Sequence, residues 1–277
     1  MSQLEIRKMN GGFGAEILGV DLAQLSDPEF RTVLDTFHRH GVVFFRDQAL
    51  SPEGHVRFAE RLGPININRF FQSVENYPMI AEVRKEPDQK VNVGGAWHTD
   101  HSYDEVPALG SVLVARELPD SGGDTLFANL ALAFDALSSG FQEMLETLRA
   151  HHSSRHVFGA QAKYSKEVSG RIGHAEEAVQ DSIHPVVIRH PDTGRKILYV
   201  NPGFTIGIDG WTDKESQGLL RFLYDHAQQP QFQLHFDWRP GSVALWDNRT
   251  TWHNAVNDYQ GQRRLMHRVT VEGTPLS

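Results

Sequence analysis

Turn residues cut the second half of the chain into short β-forming runs, and this punctuation constrains the fold more than any other feature. Residues 184–189 (His-Pro-Val-Val-Ile-Arg) and 196–200 (Lys-Ile-Leu-Tyr-Val) flank a Pro191-Asp-Thr-Gly194 turn and predict a hairpin. Further strands are expected over 232–238, 242–246 and 264–271, with one helix, 213–228, among them. Many short strands with few helices point to a mostly β fold, a closed or two-sheet barrel such as a jelly roll with flanking helices.

The first half fits that frame. Residues 16–20 and 42–45 (Val-Val-Phe-Phe) read as strands, and Phe30, Val33, Leu34 and Phe37 recur at helical spacing in a helix over 28–39 that Gly41 ends. Ser51-Pro52-Glu53 is an N-cap with proline at the first helical position, opening a helix to about Leu62. Strands at 110–115 and 125–127 flank a turn at Ser121-Gly-Gly-Asp124, and a helix is expected over 130–149. Residues 151–180 are polar and weakly periodic, and are read as an extended insertion or lid. No repeat, low-complexity tract or linker divides the chain, so one domain over 1–277 is expected.

Composition narrows the chemistry. The 35 acidic and 27 basic residues are dispersed, with a net charge of -8, which disfavours a nucleic-acid or anionic-membrane surface. No run approaches the roughly 20 apolar residues of a membrane span. Met1-Ser-Gln-Leu-Glu5 lacks the basic and apolar segments of a leader, so a cytoplasmic location is expected. The absence of cysteine excludes disulfides, thiolate nucleophiles and Cys-ligated metal sites. Any metal must be held by His, Asp or Glu.

Trp97-His98-Thr99-Asp100 places a histidine and a carboxylate two residues apart, so on a strand both would point to one face and could share an ion. Two histidines and one carboxylate on one face of an octahedral ion leave three positions open, the arrangement of non-haem iron(II) oxygenases. The spacing alone decides little, because His190-Pro-Asp192 and His235-Phe-Asp237 repeat it. The first pair belongs to a turn and the second flanks a strand end, where a solvated rim is expected. Downstream of the first motif, a polar loop following the strand at 242–246 delivers His253, and Arg264 lies eleven residues further on. An arginine fork suits the free carboxylate of a chelated 2-oxo acid.

Together with Gly12 to Leu22, Glu117-Leu-Pro-x-x-Gly-Gly-Asp-Thr125, His184-Pro-Val-Val, Tyr199-Val-Asn-Pro-Gly-Phe204, and Trp246-Asp-Asn-Arg through Arg264-Leu-Met-His-Arg268, these residues resemble the taurine dioxygenase and 2,4-dichlorophenoxyacetate dioxygenase family over almost the whole chain. The resemblance implies a double-stranded β-helix and an iron(II) enzyme using 2-oxoglutarate and dioxygen. His98, Asp100 and His253 would be the metal ligands and catalytic centre, and Thr125 and Arg264 would hold the distal carboxylate of 2-oxoglutarate. Arg268 would lie beside the substrate or co-substrate anion, and a homodimer or homotetramer is what the family implies. Thr125 could instead be a plain strand former, Arg268 a surface charge, and Phe204 and Trp97 core residues.

Asn68, Phe71 and Gly94 stand where the taurine enzymes of the family carry a histidine, a tyrosine and an asparagine, so taurine is not the expected substrate. Asn68, Phe71, Phe204 and Arg268 point to a small anion with an apolar body, such as an aryloxyalkanoate. The segment His152-Ser-Ser-Arg-His-Val-Phe158-Gly also resembles the aryloxyalkanoate branch. His101 is left open between lining the entrance and facing solvent. Rival readings are a hydroxylase of an amino acid, a dioxygenase of a sulfonate or sulfate ester, and a non-catalytic metal-binding jelly-roll protein.

Overall fold

The computed structural model of the chain describes residues 4–9, 13–159, 176 and 178–276. In chain order its elements are β1 (Glu5–Lys8), β2 (Ala15–Leu18), α1 (Asp27–His40), β3 (Val42–Phe45), α2 (Pro52–Glu60), β4 (Ile65–Asn66), β5 (Ser73–Val74), β6 (Tyr77–Lys85), β7 (Gly110–Glu117), β8 (Thr125–Asn129), α3 (Leu130–Asp135) and α4 (Ser139–Leu145). They continue with β9 (Arg149–Ser153), α5 (Arg155–Phe158), β10 (Asp181–Pro185), β11 (Val187–Arg189), β12 (Lys196–Leu198), β13 (Thr205–Ile208), α6 (Asp213–Ala227), β14 (Gln233–Phe236), β15 (Val243–Asp247), β16 (Thr251–Ala255) and β17 (Arg264–Val271).

Nine strands form a large sheet in the order β1-β2-β3-β15-β7-β17-β6-β5, with β4 against β17. Its central strands are apolar on both faces, and the two-residue period sorts their side chains between two cores. Val43, Phe45, Val112, Val114, Val243 and Leu245 pack with Val33 and Phe37 of α1 and Phe58 of α2. Their neighbours Val42, Phe44, Leu113, Ala115, Ala244 and Trp246 pack on the opposite side with Phe127, Leu234 and Phe236. Those three belong to a facing sheet, β14-β8-β16. A third core closes the outer face of that smaller sheet, where Ala128 and Trp252 meet residues of α3, α6 and β9 to β13.

Local chemistry fixes the helix ends. The Glu29 carboxylate accepts from the Ser26 backbone N–H at 2.9 Å, and Gly41, at φ 71°, donates to Phe37 O at 2.8 Å to end α1. Ser51 Oγ accepts from Gly54 N at 3.1 Å to start α2. The expected hairpin forms between β11 and β12.

Four sequence expectations are corrected. The helix over 130–149 is two short helices, α3 and α4, with Ser138 capping the second, and Arg149 already begins β9. The stretch read as an insertion from 151 begins inside a sheet, β10-β9-β13, with His152 fully buried. There His152 Nδ1 bonds Ser102 Oγ at 3.1 Å; residues 160–175 and 177 lie outside the described residues. The loop expected to deliver His253 is the strand β16. Trp97-His-Thr-Asp100 is not a strand, since His98 makes a single β bridge and Asp100 opens a turn. Gly12 of the N-terminal block also lies outside the described residues. No helix among the described residues is long and apolar enough to cross a membrane.

Candidate active site

On β16, Trp252 belongs to the outer core, so His253 faces the space between the large sheet and the smaller one. There its ring lies 4.8 Å from that of Trp246. The bridge then brings in a residue far away in sequence: His98 N donates to His253 O at 3.1 Å, and His253 N to His98 O at 2.8 Å. Asp100 follows on the turn, with Oδ1 3.7 Å from His98 Nε2 and Oδ2 3.6 Å from His253 Nε2. One ligand atom from each of the three lies within 4.8 Å of the others.

The surroundings prepare these groups for a cation. His98 Nδ1 donates to Ala96 O at 2.7 Å, leaving Nε2 as the lone pair that faces Asp100. Burial, reinforced by the adjacent His98, keeps His253 neutral well below the ordinary histidine range. Burial opposes the charge on Asp100, but the neighbouring Arg268 guanidinium outweighs it and holds its carboxyl well below the usual carboxylate range. A neutral imidazole at His253 and an ionised carboxylate at Asp100 are protonation states that suit a divalent metal. Arg268 Nη1 donates to Asp100 Oδ2 at 3.0 Å. The arginine expected beside a bound anion therefore also braces Asp100.

Glycine makes room for His98. A Cβ on Gly203 would lie 2.7 Å from His98 Cβ, closer than real Cβ contacts come. The Gly203 loop is itself tied down. Asn201 Nδ2 donates to Ser102 Oγ at 2.9 Å and Asn201 Oδ1 accepts from Phe204 N at 2.8 Å, so this loop and the turn after Asp100 are held together. Gly203 O accepts from His156 Nε2 at 2.8 Å.

Arg264 and Arg268, four residues apart on β17, both line the same cavity, of about 950 Å³, with the triad. Arg264 is 4 % exposed, and among the described residues its Nε and Nη2 have no hydrogen-bond partner. Burial lowers its pKa, so a buried anion would be welcomed there. Thr125 Oγ1 accepts from Trp238 Nε1 at 2.9 Å, which leaves the hydroxyl hydrogen to donate elsewhere. The Gly122-Gly123 turn fits this corner: Gly123, at φ +74°, would place a Cβ 3.1 Å from Arg264 Cδ. Arg264 and Thr125 thus present a guanidinium fork and a hydroxyl donor to the same cavity as the triad.

The rest of the cavity wall is mainly apolar. Phe204 stands edge-on to His98, with ring centroids 6.2 Å apart, and edge-on to Tyr103 at 4.8 Å. Phe71 lies under the Arg268 guanidinium at 5.0 Å. Asn68 lines the cavity, but its Oδ1 is taken by Phe70 N and Phe71 N, at 2.9 and 3.0 Å, so it shapes the wall through the backbone. Gly94, at φ +79°, lies against the His98 ring. Trp97 packs partly buried on the outer core and does not line the cavity. His101 is buried, lines the cavity and bonds Asp104.

Both other His-x-Asp pairs lie outside the cavity. His235 is largely exposed and bonds Asp124 at 2.7 Å, the solvated rim that was expected. His190 Nδ1 accepts from Asp192 N at 3.1 Å in its turn, while Nε2 meets Asp247 Oδ2 at 2.9 Å. Sequence reasoning missed Trp238, Ala96 and Gly203 as supports. Gly203 lies within the Asn-Pro-Gly-Phe block, but its contact with His98 spans too much sequence for spacing to expose. Trp238 carried no such signal.

The family model described as "Taurine catabolism dioxygenase TauD, TfdA family" matches residues 5–270. The chain belongs to that family. It is 33% identical to the (S)-phenoxypropionate/alpha-ketoglutarate-dioxygenase of Sphingobium herbicidovorans, covering 99% of this chain and 96% of that one. Identity to an alkylsulfatase of Acinetobacter baylyi is 32%, covering 98% and 86%. The structure superposes on the crystal structure of a taurine dioxygenase from Burkholderia xenovorans with a TM-score of 0.83 and 33% identity, covering 98% and 91%. The chain is a 2-oxoglutarate-dependent dioxygenase that uses iron(II) and dioxygen.

Proposed function

We propose that this dioxygenase hydroxylates a small organic acid with an apolar or aromatic body, an aryloxyalkanoate being the best candidate, and cleaves it where the hydroxylated carbon bears a heteroatom. The facing sheets are read as a double-stranded β-helix in one domain over 1–277. In this reading His98, Asp100 and His253 hold the iron and Thr125 and Arg264 hold the distal carboxylate of 2-oxoglutarate. Arg268, Phe71, Phe204 and the turn at Asn68 receive the substrate. The observation that carries it is Arg264: a buried guanidinium with two unpartnered nitrogens shares the cavity of a His-Asp-His triad. A dispersed net negative charge supports a protein without nucleic-acid or membrane partners, and a cytoplasmic homo-oligomer is part of the proposal.

Iron(II) with 2-oxoglutarate and dioxygen would supply the oxidising power to remove a hydrogen from a substrate carbon, with succinate and carbon dioxide as by-products. The chain's own residues do the placing. The Ala96 carbonyl holds the His98 ring, Arg268 keeps Asp100 ionised, and Thr125 and Arg264 fix the co-substrate's far end. Phe71, Phe204 and Trp246 keep water from the centre. Arg268 can still meet a substrate anion, because among the described residues its Nε has no partner.

Relatives named as an alkylsulfatase and as a sulfonate dioxygenase support a second reading, a sulfate ester or sulfonate, since a guanidinium accepts those anions as readily as a carboxylate. Screening aryloxyalkanoates, alkanesulfonates, sulfate esters and amino acids for substrate-stimulated succinate formation tests the choice. The expected result is the strongest stimulation by aryloxyalkanoates. Stimulation by amino acids alone would overturn it.

A further inference from the structure

The corner of the cavity that holds Thr125 and Arg264 is built on a third side chain. β14 pairs with β8 in a register that sets Phe236 opposite Thr125, and the chain runs on two residues to Trp238. There the indole, 8 % exposed, joins Phe236 in the core between the sheets, the two rings edge-on with centroids 4.9 Å apart. The backbone on both sides of it is tied down. Arg46 Nη1 donates to Asp237 O at 2.7 Å, and Arg239 N donates to Ser242 Oγ at 3.0 Å. The ring is therefore a fixed platform.

Both polar features of that ring meet the cavity wall. Trp238 Nε1 donates to Thr125 Oγ1 at 2.9 Å, and the Arg264 guanidinium carbon lies 5.8 Å from the ring centroid, within reach of the indole quadrupole. An indole N–H can only donate, so it occupies a lone pair of the Thr125 oxygen and leaves the hydroxyl hydrogen for another acceptor. Gly123 also packs on the arginine, where an added Cβ would lie 3.1 Å from Arg264 Cδ. Thr125 and Arg264 line the cavity and Trp238 does not, so whatever it does to a bound molecule passes through them.

We propose that Trp238 is a positioning residue for the co-substrate: its N–H turns the Thr125 hydroxyl, and its ring holds the Arg264 guanidinium, toward the far carboxylate of 2-oxoglutarate. In this way the chain selects a 2-oxo acid that carries a second carboxylate. The proposal rests on the reading that Thr125 and Arg264 receive that carboxylate. The physical reason is preorganisation: a donor and a cation fixed before binding lose less freedom when the anion arrives.

Calorimetry on the manganese(II)-loaded protein without oxygen tests this apart from turnover. The probes are 2-oxoglutarate and 2-oxopentanoate, which has the same chain length with a methyl group in place of the far carboxylate. Trp238→Phe keeps an aromatic face and loses the N–H. It should weaken 2-oxoglutarate about tenfold and leave 2-oxopentanoate and manganese binding unchanged. In a Thr125→Val background the same change should have no further effect, because the hydroxyl it orients is gone. Trp238→Leu, which removes the ring as well, should weaken 2-oxoglutarate about threefold beyond Trp238→Phe in either background. Equal weakening of both acids, no weakening of 2-oxoglutarate in Trp238→Phe, or a loss that persists undiminished in Thr125→Val overturns the proposal, and a Trp238→Leu protein that matches Trp238→Phe overturns its arginine half. The reading beneath it fails separately: if the native preference for 2-oxoglutarate over 2-oxopentanoate survives both Thr125→Val and Arg264→Gln, those residues do not hold the carboxylate and the proposal falls with that reading.

Discussion

Two buried clusters in this protein are made of the same kinds of side chain and do opposite things. Between the sheets, His98, His253, Asp100 and Arg268 gather around a gap. At the end of β15, His190, Asp247 and Arg249 gather with none. Arg249 bonds Asp247 through Nε at 2.9 Å and Nη2 at 2.7 Å, and His190 Nε2 closes the second oxygen at 2.9 Å. Asp192 completes the set at 3.4 Å from Arg249. Buried polar groups that are mutually satisfied are structure. Where ring nitrogens and a carboxylate converge without bonding each other, as the Nε2 atoms of His98 and His253 do on Asp100, they are a seat for something else.

The largest expected effect lies at the seat. His98→Ala should reduce substrate-coupled succinate formation by more than the roughly 100-fold that loss of an outer-shell partner costs, with little change in thermal stability. Asp247→Ala should do the reverse, leaving Arg249 and His190 buried and unpaired at a cost of about 3–5 kcal/mol in urea unfolding. If instead His98→Ala unfolded the protein and Asp247→Ala did not, the contrast would be misassigned.

Arg264 sharpens the comparison because it is charged, buried and unsatisfied. Arg264→Gln should weaken 2-oxoglutarate binding by about 3 kcal/mol, roughly a hundredfold, without lowering the stability of the protein free of ligands. Gly203→Ala should weaken metal binding about 10-fold to 100-fold by pushing His98, measured by manganese titration. The smallest effect is in pH. Burial opposes ionisation of Asp247, but Arg249 and His190 lower its pKa below the ordinary 3.8. The unfolded chain therefore binds that proton first, so the contribution is full above the ordinary value and is lost as pH falls below it. Asp247→Asn should flatten the acid limb of the stability curve by up to about 1.4 kcal/mol per pH unit.

What was legible in the sequence followed the same division. The apolar runs at 42–45, 110–115 and 242–246 announced strands because both faces of the large sheet are buried. β6 did not, since Glu82, Arg84 and Lys85 interrupt it; in the fold Arg84 and Glu82 pair, and Lys85 reaches Tyr259 O at 3.4 Å. β16 read as a loop because Thr251, His253 and Asn254 are polar and its partner β8 lies far away in sequence. Only His253 of the three lines the cavity, and Thr251 Oγ1 donates to Asp247 O at 2.8 Å. His98, Asp100, His253, Thr125 and Arg264, which the fold brings to one cavity, stood out in the sequence through their family blocks. The residues that hold them did not, because Trp238, Ala96 and Gly203 act through contacts that only the folded chain creates.

The central claim is that the unsatisfied cluster seats iron(II) and 2-oxoglutarate together. Visible absorption after adding 2-oxoglutarate to the iron(II)-loaded protein without oxygen tests it most directly. The account predicts a metal-to-ligand charge-transfer band in the native protein, its loss in His98→Ala, and its appearance only at higher 2-oxoglutarate in Arg264→Gln. A band that persists unchanged in His98→Ala would contradict it.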